Sequence, residues 1–359
     1  MSPATWPRES PLAERLLVVD PRCDRAAERT VGDLAAFVRA GDVLVVNDAA
    51  TLPASLRGRT GKGEPVEARL LASRDGAWRA VLFGTGDWRT RTEDRAPPPQ
   101  VREGDVLTFG ETLRARVDGI SHVSDRLVML RFDAQGDRFW SALYREGRPV
   151  QYSYVAGDLS LWHVQTPFAA RPWSSEMPSA ARPLAWDLVL AIRAKGASFA
   201  SITHAAGLSS TGDANLDAAL PLRESYEVPA ATAEAIEAAR ARGRRVIAVG
   251  TTVVRALESA AVQGRGDGTS AGGGVVERDG TVIAGGGDTE LVVASGHALR
   301  AVDTLFTGMH EPGTSHDALL RAFAPRELLV RAFELAERSG FLGHEFGDSM
   351  LVGAGLLAS

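Results

Sequence analysis

The sequence RRVIAVGTTVVRALESAA, residues 244–261, predicts a buried strand, a sharp turn and a helix. Residues 246–249 form a short apolar run of strand-forming residues. Gly250 permits the turn, and the hydroxyl group of Thr251 or Thr252 is suited to cap the helix that follows. A helix that begins directly after a strand presents unsatisfied N–H groups and the positive end of its dipole. This unit therefore suits an anionic ligand group, although an ordinary α/β unit without a ligand has the same pattern.

The composition is that of an ordinary globular protein, with 45% hydrophobic and 24% charged residues, and 359 residues favour two domains. The formal net charge of −5 argues against a basic nucleic-acid binder. Cys23 is the only cysteine, which excludes an internal disulfide and a cysteine-based zinc site. The first ten residues lack a signal-peptide pattern, and no apolar run approaches the ~20 residues that cross a membrane. We therefore expect a cytoplasmic protein.

One local cluster of positive charge stands out against this acidic background. Arg240, Arg242, Arg244 and Arg245 lie close together in the sequence and are the best candidates for a local contact with RNA. The alternative is a solvated helix end, where arginines are favoured by the helix dipole.

The N-terminal part of the chain has an α/β pattern. It predicts a strand at Leu16–Val19, a helix at Val31–Ala40 and an apolar strand at Asp42–Asn47. The polar pair Asn47 and Asp48 follows this last strand, and ligands bind at such positions in parallel sheets. A plain turn is the alternative, because Asn and Asp are good turn formers.

The pattern changes to many short strands after residue 57. Predicted strands are Val66–Ala72, Trp78–Phe83, Val106–Phe109, Leu113–Ile120 and Leu127–Phe132. Short strands at close spacing, separated by glycine and proline turns, are typical of a small antiparallel barrel or sandwich. We predict an α/β protein in which a large α/β domain, residues 1–57 and 148–359, carries an inserted β-barrel domain, residues 58–147.

The remainder of the chain returns to an α/β pattern after an irregular aromatic segment, residues 148–183, of a kind that is often functional. Predicted helices are Leu184–Lys195, Ala230–Arg242, Ala318–Ala324 and Arg326–Ser339. Predicted strands are Ser198–His204 and Glu290–Ala294. The glycine-rich stretch Ala271–Gly287 is expected to be a loop.

Few residues indicate chemistry by spacing alone. His310 and His316 are six apart in a loop, which matches no recognised metal spacing, so we predict no metal. His204 closes a strand, a suitable place for a catalytic group, although a core or turn histidine is the more common case. The chain has no dinucleotide-binding glycine motif, phosphate loop, serine elbow or zinc-protease motif.

Residues 243–261, GRRVIAVGTTVVRALESAA, resemble the signature of the S-adenosylmethionine:tRNA ribosyltransferase-isomerases. Five further blocks resemble this family in the right order: GDVLVVNDAATLPASLRGR (41–59), VQTPFA (164–169), ESYEVP (224–229), VDTLFTGMHEP (302–312) and FGDSMLV (346–352). The family fold, an α/β domain with an inserted β-barrel, agrees with the pattern described above. The chain is thus identified as a member of this family.

Several family motifs are altered in this chain. PSAARPL, residues 178–184, stands where the family carries Pro-Thr-Ala-Gly-Leu-His-Phe, so the histidine is missing. The family has two histidines shortly before the glutamate that corresponds to Glu224, and in this chain those positions are about Ala219 and Leu222. The asparagine of the family's Asn-Phe-His-Leu-Pro block is replaced by Gly308. HAAGLSS, residues 204–210, replaces a glycine-rich His-Val-Gly-Ala-Gly-Thr-Phe segment.

The resemblance implies transfer of the ribosyl moiety of S-adenosylmethionine to a 7-aminomethyl-7-deazaguanine base in tRNA. The product is epoxyqueuosine, adenine and methionine leave, and no metal is needed. S-adenosylmethionine is then the co-substrate and tRNA the partner. No association with a membrane is expected, and the oligomeric state is not predicted. Implied catalytic acid/base residues are Glu224 and His310. Implied cofactor-binding residues are Asn47, Asp48, Gly250, Thr251, Thr252 and Arg255.

The altered motifs leave two alternatives open. One is a diverged homologue that keeps an S-adenosylmethionine or nucleoside pocket but acts on another substrate. The other is a non-catalytic binding protein built on the same scaffold.

Overall fold

The structure, a computed structural model, describes residues 1–263, 280–310 and 314–358. Residues 271–279 of the predicted glycine-rich loop lie outside the described residues. So do residues 311–312, the end of the family block 302–312. No helix within the described ranges is long and apolar enough to span a membrane.

Nine strands within the described ranges form one mixed sheet. Their spatial order is Gly285–Thr289, Glu224–Val228, Ser198–His204, Val43–Asn47, Val246–Val249, Thr304–Gly308, Ser349–Gly353, Arg15–Asp20 and Arg25–Thr30. The four strands from Ser198–His204 to Thr304–Gly308 run parallel to one another. Their carboxyl ends therefore meet at one edge of the sheet, which we call the carboxyl edge.

The centre of this sheet is buried on both faces, as parallel sheets require. All four residues of Val246–Val249 are buried, and their side chains alternate between two apolar layers. Val246 and Ala248 pack in the layer that contains residues of helix Thr251–Gln263. Ile247 and Val249 pack in the opposite layer, which contains residues of helix Trp186–Ala194. Helices thus cover both faces of the sheet.

A closed antiparallel barrel is the second structural unit. Its six strands in the described part of the chain follow the order Leu113–Ile120, Leu127–Phe132, Ala77–Phe83, Pro65–Arg74, Ser55–Thr60 and Val106–Phe109. Aliphatic and aromatic side chains fill its interior, and Phe139, Ala142 and Leu143 of helix Gly136–Glu146 pack against them. The barrel thus has an apolar core of its own.

The remaining elements are short or lie on the faces of the large sheet. The α-helices are Gly136–Glu146, Trp186–Ala194, Ala214–Ala218, Ala230–Ala241, Thr251–Gln263, Ser315–Leu320 and Arg326–Arg338. The 3-10 helices are Pro11–Ala13, Val31–Phe37, Thr92–Asp94, Leu161–Val164 and Ser179–Ala181. Two small parallel pairs join Ser2–Pro3 to Leu342–Gly343 and Ala49–Thr51 to Arg171–Ser174.

The predicted fold class is confirmed: a mixed α/β protein with a closed antiparallel barrel. The domain limits at 57/58 and 147/148 stay a prediction, and the first barrel strand begins slightly earlier, at Ser55. Three local predictions differ from the structure. The predicted helix Val31–Ala40 is a 3-10 helix that ends at Phe37, and residues 285–287 of the predicted loop belong to the strand Gly285–Thr289. The predicted strand Glu290–Ala294 lies in irregular backbone.

Candidate active site

The sheet topology brings the eight residues that we predicted for the site to the carboxyl edge. Three groups follow parallel strands directly: Asn47 and Asp48, Gly250 with the start of its helix, and His310 shortly after Thr304–Gly308. The strand Glu224–Val228 is antiparallel to Ser198–His204, with His204 opposite Tyr226, so Glu224 lies just beyond the end of that neighbouring strand. The predicted residues at this edge are Asn47, Asp48, Glu224, Gly250, Thr251, Thr252, Arg255 and His310.

The turn at Gly250 requires glycine. Its φ of +103° is a conformation that L side chains rarely adopt, and Ala180 would lie 3.4 Å from an added Cβ. The helix begins at Thr251, so Thr251 and Thr252 are its first two residues and not the residue before it, as a cap must be. Both lie in the turn whose amides are unsatisfied within a helix, next to the positive end of the dipole.

Asn47 ties this turn to the neighbouring strand. Its Nδ2 donates to the backbone oxygen of His204 at 2.9 Å and to Oγ1 of Thr252 at 3.3 Å. Its Oδ1 accepts from the backbone N–H groups of Ala49 and His204, both at 3.0 Å. These four bonds use the full capacity of the side-chain amide. Asn47 therefore fixes the relative position of the strand ends, and its contact with a cofactor stays a prediction.

Asp48 is also held by its neighbours. Its Oδ1 accepts from Oγ1 of Thr203 at 2.6 Å, and its Oδ2 accepts from Oγ of Ser201 at 2.9 Å. The backbone N–H of Asp48 donates to Ile202 at 2.8 Å. These bonds hold Asp48 against the strand Ser198–His204 of the large sheet. Asp48 begins the chain segment that leads to the barrel.

Glu224 is the centre of a buried charged cluster, which we call the Glu224 cluster and which consists of Glu224, His204 and Arg255. The Oε2 atom of Glu224 lies 2.9 Å from Nε2 of His204 and also accepts a hydrogen bond from Nη1 of Arg255. Its Oε1 accepts from the backbone N–H of Gly207 at 2.7 Å. Burial raises the pKa of the Glu224 carboxyl, but the hydrogen bonds and charges of these partners outweigh burial and hold the pKa at about 2.

Two polar atoms of this cluster have no partner among the described residues. They are Nη2 of Arg255 and Nδ1 of His204, and both side chains are buried. Arg255 is otherwise fixed, because its Nε donates to the backbone oxygen of Leu291 at 3.0 Å. Buried polar groups are almost always paired, so the unpaired guanidinium N–H of Arg255 and the unpaired ring nitrogen of His204 indicate a place for a ligand beside the helix start.

His310 and His316 form a stacked pair next to the Glu224 cluster. Their rings are 11° from parallel with centroids 4.3 Å apart, and Nε2 of His310 lies 2.9 Å from Oγ1 of Thr307. Burial lowers the pKa of His310 well below its ordinary value, and the neighbouring His316 and His344 lower it further. Burial also lowers the pKa of His316, against the opposing charge of Glu224. Both rings are therefore neutral at pH 7.

A second cluster, the tyrosine–glutamate cluster, consists of Tyr152, Tyr154, Glu176 and Glu345. Each tyrosine hydroxyl group is hydrogen-bonded to one carboxyl group, Tyr152 to Glu176 and Tyr154 to Glu345. The two tyrosine rings stack with centroids 6.1 Å apart, and Tyr154 lies 4.2 Å from the ring of His344. Burial raises the pKa of Glu345 to about 7 and also raises that of Glu176. The cluster reaches the carboxyl edge through His344, which contacts Tyr154 and contributes to the lowered pKa of His310.

Sequence reasoning thus missed three parts of this site. His204 is predicted from its strand end as a possible catalytic group, with a core or turn histidine as the alternative, but its contact with Glu224 is not, and His316 is considered only as a metal ligand. The tyrosine–glutamate cluster was indicated only by the irregular aromatic segment at 148–183. Among the described residues, no three or more His, Cys, Asp or Glu side chains gather in a way suited to a metal ion.

Comparison with known proteins identifies the family. The family model described as "Queuosine biosynthesis protein" matches residues 2–352. A protein of Anaeromyxobacter sp. (strain K) named S-adenosylmethionine:tRNA ribosyltransferase-isomerase is 35% identical over 350 residues, covering 95% of this chain and 92% of its own. The chain belongs to this family. A relative of the same name from Moorella thermoacetica is 33% identical over 355 residues, covering 97% of this chain and 95% of its own.

The fold of this ribosyltransferase-isomerase family member also agrees with a solved structure. The crystal structure of the S-adenosylmethionine tRNA ribosyltransferase from Thermotoga maritima matches with a TM-score of 0.51 at 24% identity. The match covers 97% of this chain and 95% of that chain. The inserted barrel and the large sheet are therefore features of the family fold.

A segment that we predict to be an altered family motif lies directly behind the turn at Gly250. Residues 178–184 contain the 3-10 helix Ser179–Ala181. Its Ala180 is the residue closest to the position of a Cβ at Gly250. Arg182 of the same segment pairs with the buried Glu14 at 2.9 Å. In this family member the segment packs against the turn and anchors it to the N-terminal part of the chain.

Proposed function

We propose that this protein transfers the ribosyl moiety of S-adenosylmethionine to a 7-aminomethyl-7-deazaguanine base in tRNA, giving epoxyqueuosine and releasing adenine and methionine. The observation that carries the proposal is the Glu224 cluster, with its unpaired Arg255 Nη2 and His204 Nδ1 at the carboxyl edge. Membership of the family supports it, because the relatives that match are named for this reaction.

The residues at this edge fit S-adenosylmethionine. Arg255 Nη2 is an unpaired, buried donor, and the helix beginning at Thr251 adds its free amides and dipole. An arginine fork beside a helix start is suited to a carboxylate, which the methionine part of the co-substrate carries. Glu224 holds Arg255 in place for this contact. S-adenosylmethionine supplies the ribosyl group and a sulfonium that acidifies the neighbouring C–H bond.

The two predicted acid/base residues differ in their electrostatic environment. With a pKa of about 2, the Glu224 carboxylate is a weak base at neutral pH and contributes a fixed negative charge. Burial keeps His310 neutral at pH 7, so its imidazole has a lone pair that can take a proton, although the same burial makes it a weaker base than an exposed histidine. We therefore assign proton removal to His310 and the orientation of Arg255 and His204 to Glu224. The stacked His316 keeps the His310 ring in a fixed plane.

The partner in this proposal is tRNA, and the place of action is the cytoplasm. The acidic net charge of −5 means that RNA binding depends on local groups and not on the overall field. The family name of the relatives, which includes tRNA, supports this assignment.

The proposal is tested with purified protein, S-adenosylmethionine and a tRNA that carries the aminomethyl-deazaguanine base. We expect mass spectrometry of the digested tRNA to detect epoxyqueuosine, with adenine released in equal amount. Glu224→Gln should abolish both signals, while Glu227→Gln, on the same strand but in a half-exposed ion pair with Arg171, should retain them. If the wild-type protein binds the co-substrate but yields neither adenine nor a new nucleoside, the proposed reaction is wrong.

A further inference from the structure

A cavity of about 550 Å³ lies outside the active site, beside the barrel. Barrel residues such as Ser55 and Arg69 line one side, and residues 144–162, which lead the chain back to the large sheet, line the other. None of the residues of the Glu224 cluster, nor His310, contributes to its walls. The reaction proposed above therefore leaves this cavity without a role.

The floor of the cavity is formed by Arg69 and Glu67, and the buried Arg95, which does not line the cavity, pairs with the same Glu67. Arg69 is only 2% exposed, and its Nε lies 2.8 Å from Oε1 of Glu67. The same carboxylate also binds Nη1 of the buried Arg95 at 2.8 Å, through its other oxygen. One carboxylate thus serves two guanidinium groups, and Nη1 of Arg69 and Nε of Arg95 have no partner among the described residues. Such a floor favours an anion in the cavity.

The other carboxylates at the cavity are already occupied. Asp158 accepts hydrogen bonds from Nε1 of Trp88 at 3.0 Å and from Nη2 of Arg89 at 3.2 Å. Glu146 accepts from Nε of Arg145 at 3.1 Å. Their negative charge is therefore largely balanced by their own partners, and they do not cancel the charge of the floor.

Two further arginines at the cavity have guanidinium N–H groups that are available to a ligand. Arg57 lies 3.7 Å from the carboxylate of Asp87, beyond hydrogen-bond distance, and the guanidinium of Arg148 donates to backbone oxygens. The backbones of Ser55 and Arg148 exchange two hydrogen bonds of 2.9 Å, and Arg57 is two residues further along the strand of Ser55. Such diagonal positions on paired strands are ~7–8 Å apart. The two guanidinium groups can therefore reach a single phosphate.

An exposed aromatic ring stands at the mouth of the same cavity. Trp162 lines it although 74% of this residue is exposed, which is unusual for tryptophan. It lies in the short 3-10 helix Leu161–Val164, which the Ser160–His163 capping box holds. A flat exposed ring beside arginines is the combination that binds unpaired nucleotides, through stacking and phosphate contacts.

We propose that this cavity binds one unpaired nucleotide of an RNA, with its base on Trp162 and its phosphate between Arg57 and Arg148. The choice of RNA rests on the proposed function, since charge and an exposed ring alone define a nucleotide-like ligand. The cavity is connected to the active site by a row of rings. The Arg69 guanidinium lies 5.4 Å from the Tyr152 ring, which stacks on Tyr154, and Tyr154 in turn contacts His344.

The test is fluorescence anisotropy with an unmodified tRNA transcript, which separates binding from chemistry. We expect Trp162→Ala to weaken binding about 10- to 100-fold, and Trp162→Phe to restore most of the affinity. Arg148→Ala should reduce the slope of log affinity against log salt by about 1. Trp186→Ala is the matched control, because Trp186 is 60% exposed on a helix of the large domain and should not affect binding.

The outcomes distinguish this inference from the proposed reaction. If wild type binds the transcript and Trp162→Ala weakens binding, the inference stands even if no epoxyqueuosine forms. If wild type modifies tRNA while Trp162→Ala changes neither affinity nor KM for tRNA, the cavity does not bind the substrate. Absence of any binding by wild type also overturns the inference. An unchanged thermal unfolding midpoint for Trp162→Ala excludes loss of the fold as the cause of weaker binding.

Discussion

Glu224 and His204 lie twenty residues apart in the sequence, yet Oε2 of Glu224 is 2.9 Å from Nε2 of His204 in a buried site. The contact exists because two antiparallel strands place His204 opposite Tyr226, two residues from Glu224. Arg255 reaches the same carboxylate oxygen from the first turns of its helix. Two strands of the large sheet and the helix Thr251–Gln263 are thus held together by one carboxylate.

The first prediction concerns stability. Glu224→Ala leaves Arg255 buried without its counter-ion, which should reduce the free energy of unfolding by about 3–5 kcal/mol in urea denaturation. Glu227→Ala is the control: its pair with Arg171 is 2.7 Å long, but about 40% of each side chain is exposed. That change should cost less than about 1 kcal/mol. Equal losses for the two variants would contradict the central role of the Glu224 carboxylate.

The second prediction concerns the co-substrate. Arg255→Lys removes the unpaired Nη2 and the planar fork, so we expect affinity for S-adenosylmethionine to fall about 10- to 100-fold by calorimetry. Arg245→Lys is a matched control, since Arg245 is also largely buried and is paired with Asp42 at 2.6 Å. It directly precedes the strand Val246–Val249, at the end opposite the turn at Gly250. The affinity of this variant should remain within about twofold of wild type, because that end of the sheet carries no part of the site. A similar loss in both variants would indicate a general effect on the fold.

The third prediction concerns pH. Burial raises the pKa of Glu345 from 4.5 to about 7, so the folded protein keeps this proton where the unfolded chain has lost it. The free energy of unfolding therefore falls as pH rises from 4.5 to 7, by at most about 1.4 kcal/mol per pH unit from this group. Glu345→Gln has no carboxyl group to ionise, so its free energy of unfolding relative to that of wild type should increase as pH rises from 4.5 to 7. Parallel stability curves for the two proteins would show that the carboxyl is not buried as described.

The fourth prediction concerns the turn that precedes the active-site helix. At a φ of +103°, Gly250→Ala should destabilise the protein by about 1–3 kcal/mol and weaken S-adenosylmethionine binding, because the helix start is displaced. Gly243→Asn is the control, with a φ of +63° that asparagine tolerates and no neighbouring atom within 4 Å. It should cost less than about 1 kcal/mol in the same urea titration. A harmless Gly250→Ala would mean that the turn does not depend on glycine.

Local patterns predicted most of the fold because they reflect burial. Val106–Phe109, Leu113–Ile120 and Leu127–Phe132 were predicted with the bounds that the structure has. Gly285–Thr289 was missed because it pairs with Glu224–Val228 through backbone hydrogen bonds and has few side chains to form a pattern.

The site was predicted in part only. Resemblance to the family indicated Glu224 and Arg255, but their contact with His204 depends on strand order and register, which no local pattern contains. The hydrogen bonds of Tyr152 to Glu176 and of Tyr154 to Glu345 span 24 and 191 residues of sequence. Such distant pairs become visible only when the chain is folded.

The position of the barrel has a consequence for how specificity can change. The chain departs for the barrel just after Asn47 and Asp48, and on its return it carries Tyr152, Tyr154 and Glu176 to the same edge. Both junctions of the insertion are thus built into the site. We expect that exchanging this barrel and its flanks for those of another family member would also replace Tyr152, Tyr154 and Glu176, so the barrel and this side of the candidate site would be inherited as a single module.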